Sequence, residues 1–165
     1  MWQSLHKKIT RFRRDDRGIQ LVELAIVVPI MLVLFAAVAE FGRYFQTYTT
    51  LAKGSRVAAR YLATGCANGL DDPAARNLVV YGNIAGTGSP IVEGLGVGNV
   101  TVIRKDGDGV PTPGFPATVT VEISGFQHQP IFDLGQMMKS SFSLNVNVQP
   151  SVTMRYLLTS PPVCE

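Results

Sequence analysis

Residues 17–39 read RGIQLVELAIVVPIMLVLFAAVA, a basic residue and a glycine followed by a long apolar run. Between Ile19 and Ala39 the only ionisable side chain is that of Glu23. A helix of about 20 predominantly apolar residues is long enough to cross a hydrocarbon core of about 30 Å. The stretch therefore predicts a helix that spans a membrane, with its transmembrane half at about residues 19–39.

Basic residues are concentrated in front of this helix. Residues 1–17 hold six Lys or Arg and two Asp, whereas residues 18–165 hold nine basic and ten acidic side chains. An excess of Lys and Arg on one side of a span marks the cytoplasmic side. We therefore expect a single-pass protein of the cytoplasmic membrane, with its N-terminus in the cytoplasm and its head outside. The body of the chain lacks the basic face that nucleic-acid binding requires, so no nucleic-acid partner is expected.

The helical pattern continues past Ala39. One face carries apolar and small residues at three- and four-residue steps, as an amphipathic helix requires. These residues are Phe41, Tyr44, Phe45, Tyr48, Leu51, Ala52, Ser55, Ala58, Ala59 and Leu62. We predict one continuous helix from about Ile19 to about Thr64, with its second half amphipathic. Pro29 would break a soluble helix but is tolerated as a kink in a membrane helix.

A cleaved secretory signal is the alternative for the same stretch. Ala37-Val38-Ala39 has the small-residue form of a signal peptidase site. Three features favour a retained helix instead: the apolar stretch is long, it contains Glu23, and its periodicity continues beyond the site. The two interpretations predict different mature N-termini.

Glu23 is the most informative residue of the stretch. An ionisable group within a membrane span costs a few kcal/mol and indicates a function, unless it lies at the interface and snorkels. Gly18 stands five residues before it, where the basic tail meets the apolar helix. This arrangement resembles the processing site of type IV prepilins, in which prepilin peptidase cuts after the glycine. The resemblance implies that Ile19 becomes the mature N-terminus and that Glu23 pairs with the N-terminal amine of a neighbouring subunit.

Further segments extend the resemblance over about residues 17–65. Residues 22–29 (VELAIVVP), residues 40–43 (EFGR) and residues 55–63 (SRVAARYLA) are similar to the TadE-like family of the tight-adherence (Tad/Flp) pilus systems. Gln20 departs from that pattern, in which a small residue is more usual. The resemblance implies a non-catalytic minor pilin or pseudopilin-like subunit for assembly of a Tad-type, type IVb-like adhesion pilus. Its implied partners are prepilin peptidase, other pilin subunits through the N-terminal helix, and the cytoplasmic membrane. The alternative is an extracytoplasmic binding protein held permanently by an uncut anchor.

The remainder of the chain predicts a small α+β head. Asp71-Asp72-Pro73 offers an N-cap and a proline at N1 for a short helix that ends near Tyr81. A glycine-rich loop over 82–98 precedes three strand-like stretches at 99–105, 117–124 and 141–155. We expect an antiparallel three-stranded sheet on the end of the long helix. The fold class is thus α+β and pilin-like, with a basic leader (1–18), a long helix (19–65) and an exported head (66–165).

Two cysteines, Cys66 and Cys164, both fall in the exported part. That compartment is oxidising, so a disulfide between them is predicted. Two separate thiols are the alternative.

Catalytic and metal motifs are sparse. The two histidines are His6 and His128, and neither a G-x-S-x-G elbow nor a phosphate-binding loop occurs. We expect His128 to lie in a surface loop; a secreted hydrolase would have to depend on it. Residues 106–109 (DGDG) predict a turn, and a calcium loop there would lack its later ligands. We therefore expect no catalytic residues, no cofactor and no metal site.

Overall fold

The computed structural model describes residues 16–66, 68–113, 115–131 and 145–158. Two α-helices occur in the described part, α1 (Asp16–Leu62) and α2 (Asp72–Tyr81), with a 3₁₀ turn at Val97–Asn99. The strands are β1 (Val100–Lys105), β2 (Thr118–Ile123), β3 (Gln127–His128), β4 (Val146–Asn147) and β5 (Ser151–Arg155). Most of the predicted leader, the start of the predicted last strand and Cys164 lie outside the described residues.

The chain divides into two compact units, residues 1–41 and residues 42–165. The described part of the first unit is the N-terminal part of α1. The second unit contains the rest of α1, α2 and all five strands. The boundary thus falls inside α1, where the apolar stretch gives way to the amphipathic one.

The long helix is confirmed, and α1 runs without interruption through Pro29. Its end at Leu62 lies two residues before the predicted end at Thr64. A long apolar N-terminal helix followed by small antiparallel sheets is the predicted α+β, pilin-like arrangement.

The short helix α2 begins where the sequence predicts. Asp71 occupies the N-cap position and Pro73 lies in the first turn, but the Asp71 carboxylate makes no capping hydrogen bond. That carboxylate accepts a hydrogen bond from the Cys66 backbone N–H at 2.7 Å instead. At the other end, Gly82 adopts a left-handed conformation (φ 73°) and its N–H donates to the Leu78 carbonyl. A glycine adopts this conformation without the steric cost that a Cβ brings.

The main sheet has the order β1-β2-β5, with both neighbouring pairs antiparallel. In the central strand Val119, Val121 and Ile123 are fully buried and alternate with half-buried residues. This is the period of two that the sequence predicts for 117–124. Thr118 pairs with Lys105 on one side and Arg155 on the other, which sets the register.

The last predicted strand, 141–155, is divided in its described part, which the sequence did not predict. Val146–Asn147 pairs with Gln127–His128 in a second, two-stranded sheet, whereas Ser151–Arg155 joins β2. Pro150 separates the two segments because it has no N–H to donate to a ladder. Its carbonyl still accepts a hydrogen bond from the Ile123 N–H at 3.0 Å.

One hydrophobic cluster joins the helices and the main sheet of the second unit. Its members from α1 are Leu51, Ala58, Ala59 and Leu62; α2 adds Ala75, Val79 and Val80, and β2 adds Val119, Val121 and Ile123. The predicted packing of the sheet on the end of the long helix is thereby confirmed. Two aromatic residues of the predicted apolar face, Phe45 and Tyr48, remain exposed, whereas Leu51 on the same face is buried.

Candidate processing and assembly site

The N-terminal part of α1 presents an exposed apolar surface. It is the one helix among the described residues that is long and apolar enough to cross a membrane, and none of its most apolar 18-residue window is buried. The core helix of a water-soluble protein would be mostly buried. Full burial of a large aliphatic side chain is worth about 1.5–3 kcal/mol. A surface of this length is therefore strongly driven towards lipid or towards other helices.

Gly18 and Ile19, the predicted processing site, lie in the first turns of α1. Apart from its own helix backbone, no described part of the chain lies within 4 Å of the position that a Cβ on Gly18 would take, so packing in the described structure does not require this glycine. The first four N–H groups of a helix have no partner within it, and glycine lowers helix stability by about 1 kcal/mol relative to alanine. Opening the chain at Gly18 for a peptidase therefore breaks few hydrogen bonds.

Glu23 projects from the same exposed surface. It lies one turn beyond Ile19, and Ile26 and Ile30 follow it at helical spacing, so these residues share one side of α1. All four side chains are exposed. The structure thus brings Gly18, Ile19 and Glu23 together within the first two turns of α1, as their spacing requires. What pairs with the Glu23 carboxylate stays a prediction.

Cys66 lies in the second unit, just beyond the end of α1. It is buried and disulfide-bonded. Its predicted partner, Cys164, lies outside the described residues, so the pairing itself stays a prediction.

Several hydrogen bonds hold the chain around Cys66. Asp71 accepts from the Cys66 N–H and, at 3.5 Å, from the Tyr61 hydroxyl. The Tyr156 hydroxyl donates to the Gly65 carbonyl, and the Leu157 N–H donates to the Ala63 carbonyl at 3.0 Å. These contacts fasten the end of β5 to the end of α1.

Gly65 is required here for space. A Cβ on this residue would collide with the Asp71 carboxylate. Gly65 is not among the glycines with positive φ, so backbone conformation does not require it. Its role is to admit the Asp71 side chain to the helix end.

Two tyrosines at this junction resist ionisation. Burial, together with the adjacent negative charge of Asp71 and the hydrogen bond to it, raises the pKa of Tyr61. Burial and the Asp71 charge also raise the pKa of Tyr156, although the positive charge of Arg104 acts in the opposite direction. Both hydroxyls therefore remain protonated donors at neutral pH.

A second link joins α2 to the sheet. The Arg104 guanidinium on β1 makes two hydrogen bonds with the Asp72 carboxylate, at 2.6 and 3.0 Å. The Arg104 side chain is 9% exposed, so the pair is largely shielded from water. The sequence predicted only a capping role for Asp71 and no role for Arg104 or Tyr156. The partners of Arg104 and Tyr156 are 32 and 91 residues away, and no local pattern marks such pairs.

His128 is not a surface-loop residue, so that prediction was wrong. It lies in β3 and is 5% exposed. Its ring meets that of Tyr44 edge-to-face, with 5.7 Å between the ring centroids. Because β3 pairs with β4, which is 18 residues away in the sequence, the strand was not visible as a local pattern.

The DGDG segment forms the turn that follows β1. The Asp106 carboxylate accepts hydrogen bonds from the backbone N–H groups of Asp108 and Val110, at 3.0 and 2.8 Å. A side chain that binds the backbone two residues ahead is typical of an aspartate turn. Across the described ranges, no group of three or more His, Cys, Asp and Glu side chains could hold a metal ion.

Comparison with known proteins adds one match. Residues 18–60 match a family described as TadE-like protein. The matched segment is α1 from Gly18 to Arg60, and the head beyond it lies outside the match. No curated protein and no solved structure matches the chain.

Proposed function

From the TadE-like domain at residues 18–60, we propose that the chain is a non-catalytic minor pilin or pseudopilin-like subunit of a Tad-type pilus. The observation that carries the proposal is the exposed apolar stretch of α1 at residues 19–39, which directly follows Gly18 and contains a single carboxylate, that of Glu23. Prepilin peptidase cuts after Gly18 and leaves Ile19 as the N-terminus. The subunit waits in the cytoplasmic membrane with its head outside, and then enters a bundle of pilin helices.

The exposed surface of α1 supports this two-stage behaviour. In the membrane its apolar side chains contact lipid, and in a bundle they contact the helices of other subunits. Lipid tails and aliphatic side chains are similarly apolar, so the transfer changes the free energy little. A specific polar contact can then decide between the two environments.

Glu23 and the amine that cutting creates at Ile19 provide such a contact. Removal of one partner from a buried charge pair typically costs about 3–5 kcal/mol. A pair between Glu23 of one subunit and Ile19 of the next therefore selects the register in which both charges are satisfied. Cutting must precede assembly, because the uncut chain has no amine at this position.

Mass spectrometry of the membrane-extracted protein tests the processing step. We expect a chain that starts at Ile19 in cells that contain prepilin peptidase, and a full-length chain in cells that lack it. Gly18→Val should leave the leader attached, since a branched side chain obstructs the cut. Gly42→Val is the matched control: it is a glycine of α1 that also has open space around it, and its variant should be cut normally.

The other outcomes identify the alternatives. A mature chain that starts at Glu40 would establish an ordinary signal peptide. A chain that keeps residues 1–18 even when the peptidase is present would establish a permanently anchored extracytoplasmic binding protein.

A further inference from the structure

A cleft of about 810 Å³ opens in the second unit. Three segments line it: residues 43–50 of α1, the loop at 91–94, and residues 125–129, which include β3. Pockets that hold small molecules usually measure about 300–1,000 Å³. The cleft is therefore large enough for a ligand of two or three sugar rings.

Amides and hydroxyls are the most numerous polar side chains of the lining, beside the apolar Ile91, Val92 and Phe126. Gln46, Gln127 and Gln129 contribute carboxamides, and Thr47 and Thr50 contribute hydroxyls. Each of these groups can both donate and accept hydrogen bonds. A ligand that matches them must also carry many groups that donate and accept, as the hydroxyls of a sugar do.

The formal charges of the lining balance. Arg43 and Glu93 contribute one positive and one negative charge. A nucleotide or another polyanion would need an excess of basic groups, and an apolar ligand would need an apolar lining. The lining therefore favours a neutral, polar ligand.

The extended segment 127–129, which contains β3, holds two of the amides in position. His128 is buried between Gln127 and Gln129, which are both exposed, as the alternation of side chains along an extended segment requires. The contact between His128 and Tyr44 fastens this segment to α1. The two glutamines thus belong to a supported wall of the cleft and not to a free loop.

We propose that this cleft binds a short neutral oligosaccharide through its glutamine and threonine side chains. The binding site lies wholly within the second unit. It does not depend on the proposed processing of Gly18 or on pilus assembly, so either proposal can fail while the other stands.

Isothermal titration of the full-length protein in lipid nanodiscs tests the site, because nanodiscs avoid detergents with sugar headgroups. Two probes are used, maltotriose and N,N′,N″-triacetylchitotriose, which are neutral and differ in their acetamido groups. We expect saturable binding of at least one probe, with a Kd of about 1 mM or lower.

Substitutions then assign the binding to the cleft. Gln127→Leu and Gln46→Leu keep an approximate side-chain size but remove the hydrogen-bonding groups, and each should weaken binding by about tenfold or more. Gln149→Leu is the matched control, since Gln149 is exposed and lies outside the lining. Thr47→Val and Thr49→Val form a second pair, in which only Thr47 lines the cleft. Unchanged thermal melting of each variant shows that the fold is intact.

Three results would overturn the proposal. The first is the absence of saturable binding of either trisaccharide up to about 20 mM. The second is equal weakening by Gln127→Leu and Gln149→Leu, which would place the binding elsewhere. The third is displacement of the sugar by inorganic phosphate, which would show that charge and not hydroxyl recognition selects the ligand.

Discussion

Glu23 is the one ionisable side chain between Ile19 and Ala39, and its charge can be tested apart from its shape. Glu23→Gln retains the size and the hydrogen-bonding capacity but deletes the charge. We expect this variant to enter the membrane and to be cut after Gly18, yet to be incorporated into pili at least about 100-fold less than the wild type. Quantitative immunoblots of sheared pili and of membranes measure the two steps separately.

Glu23→Asp should be intermediate, because the charge remains on a shorter side chain. Gln20→Asn is a control that alters a polar side chain in the same part of α1 without altering charge, and it should assemble normally. Normal incorporation of Glu23→Gln would show that the charge pair does not exist. Glu23 would then be an interfacial residue without a special role.

Because the pKa of Tyr156 is raised, we expect the folded protein to lose stability at alkaline pH. Its pKa is raised in the folded state above the ordinary value of 10.0, mainly by burial. The stabilisation is therefore complete below pH 10 and is lost as the pH rises from 10 through the raised pKa, because the unfolded chain ionises first. Tyr156→Phe should lower stability at pH 7 by about 1 kcal/mol, since the Gly65 carbonyl loses its donor.

Thermal melting between pH 7 and pH 11 measures both effects. Above pH 10 the difference in stability between wild type and Tyr156→Phe should shrink. Tyr48→Phe, at an exposed position on α1, serves as the control and should leave both the melting temperature and its pH profile unchanged. If the stability difference between wild type and Tyr156→Phe stayed constant from pH 7 to pH 11, ionisation of Tyr156 would not contribute to the loss of stability.

Among the elements, α1 and α2 approach each other closely at Gly54. A Cβ there would already be in van der Waals contact with the Val79 carbonyl oxygen, at 3.4 Å, so a side chain much longer than a methyl group would collide with α2. Gly54→Leu should destabilise the head by about 1–3 kcal/mol through overpacking. Chemical denaturation followed by circular dichroism measures the change.

Gly42 provides the comparison for this prediction. It is also a glycine within α1, but nothing lies within 4 Å of its Cβ position. Gly42→Leu should leave stability unchanged or raise it by up to about 1 kcal/mol, because leucine has the higher helix propensity. If both leucine variants had the same stability, the close approach of α1 and α2 would not limit the size of the side chain at position 54.

For the molecule as a whole, the predicted bond between Cys66 and Cys164 would close a loop over nearly all of the head. A cross-link over a loop of about 100 residues stabilises by about 4–5 kcal/mol in the chain-entropy model, and often by less. Non-reducing peptide mapping should recover the two cysteine peptides linked. Reduction should lower the melting temperature of the head.

The variant with both cysteines replaced by serine is the control for this test. It should melt at the temperature of the reduced wild type and should not respond to a reductant. Reaction of both native thiols with a maleimide in the folded protein would contradict the pairing.

The long helix and the central strand were determined by the sequence alone. The apolar stretch at 19–39, the periodicity that follows it and the alternation of Val119, Val121 and Ile123 are local patterns, and the structure contains the elements that they predict. The start of α2 at Asp72 follows equally from local chemistry, since the adjacent proline suits a first helical turn. Such elements can be predicted because their burial and backbone preferences repeat within a few residues.

Which residues meet across the head depends on tertiary packing. His128 is buried because β3 pairs with β4 and because Tyr44 packs on its ring. Asp71 binds the end of α1 instead of capping α2, and Tyr156 reaches a carbonyl 91 residues away. A hydrogen bond between distant residues leaves no periodic trace in either segment, because each partner is selected by where the folded chain places the other.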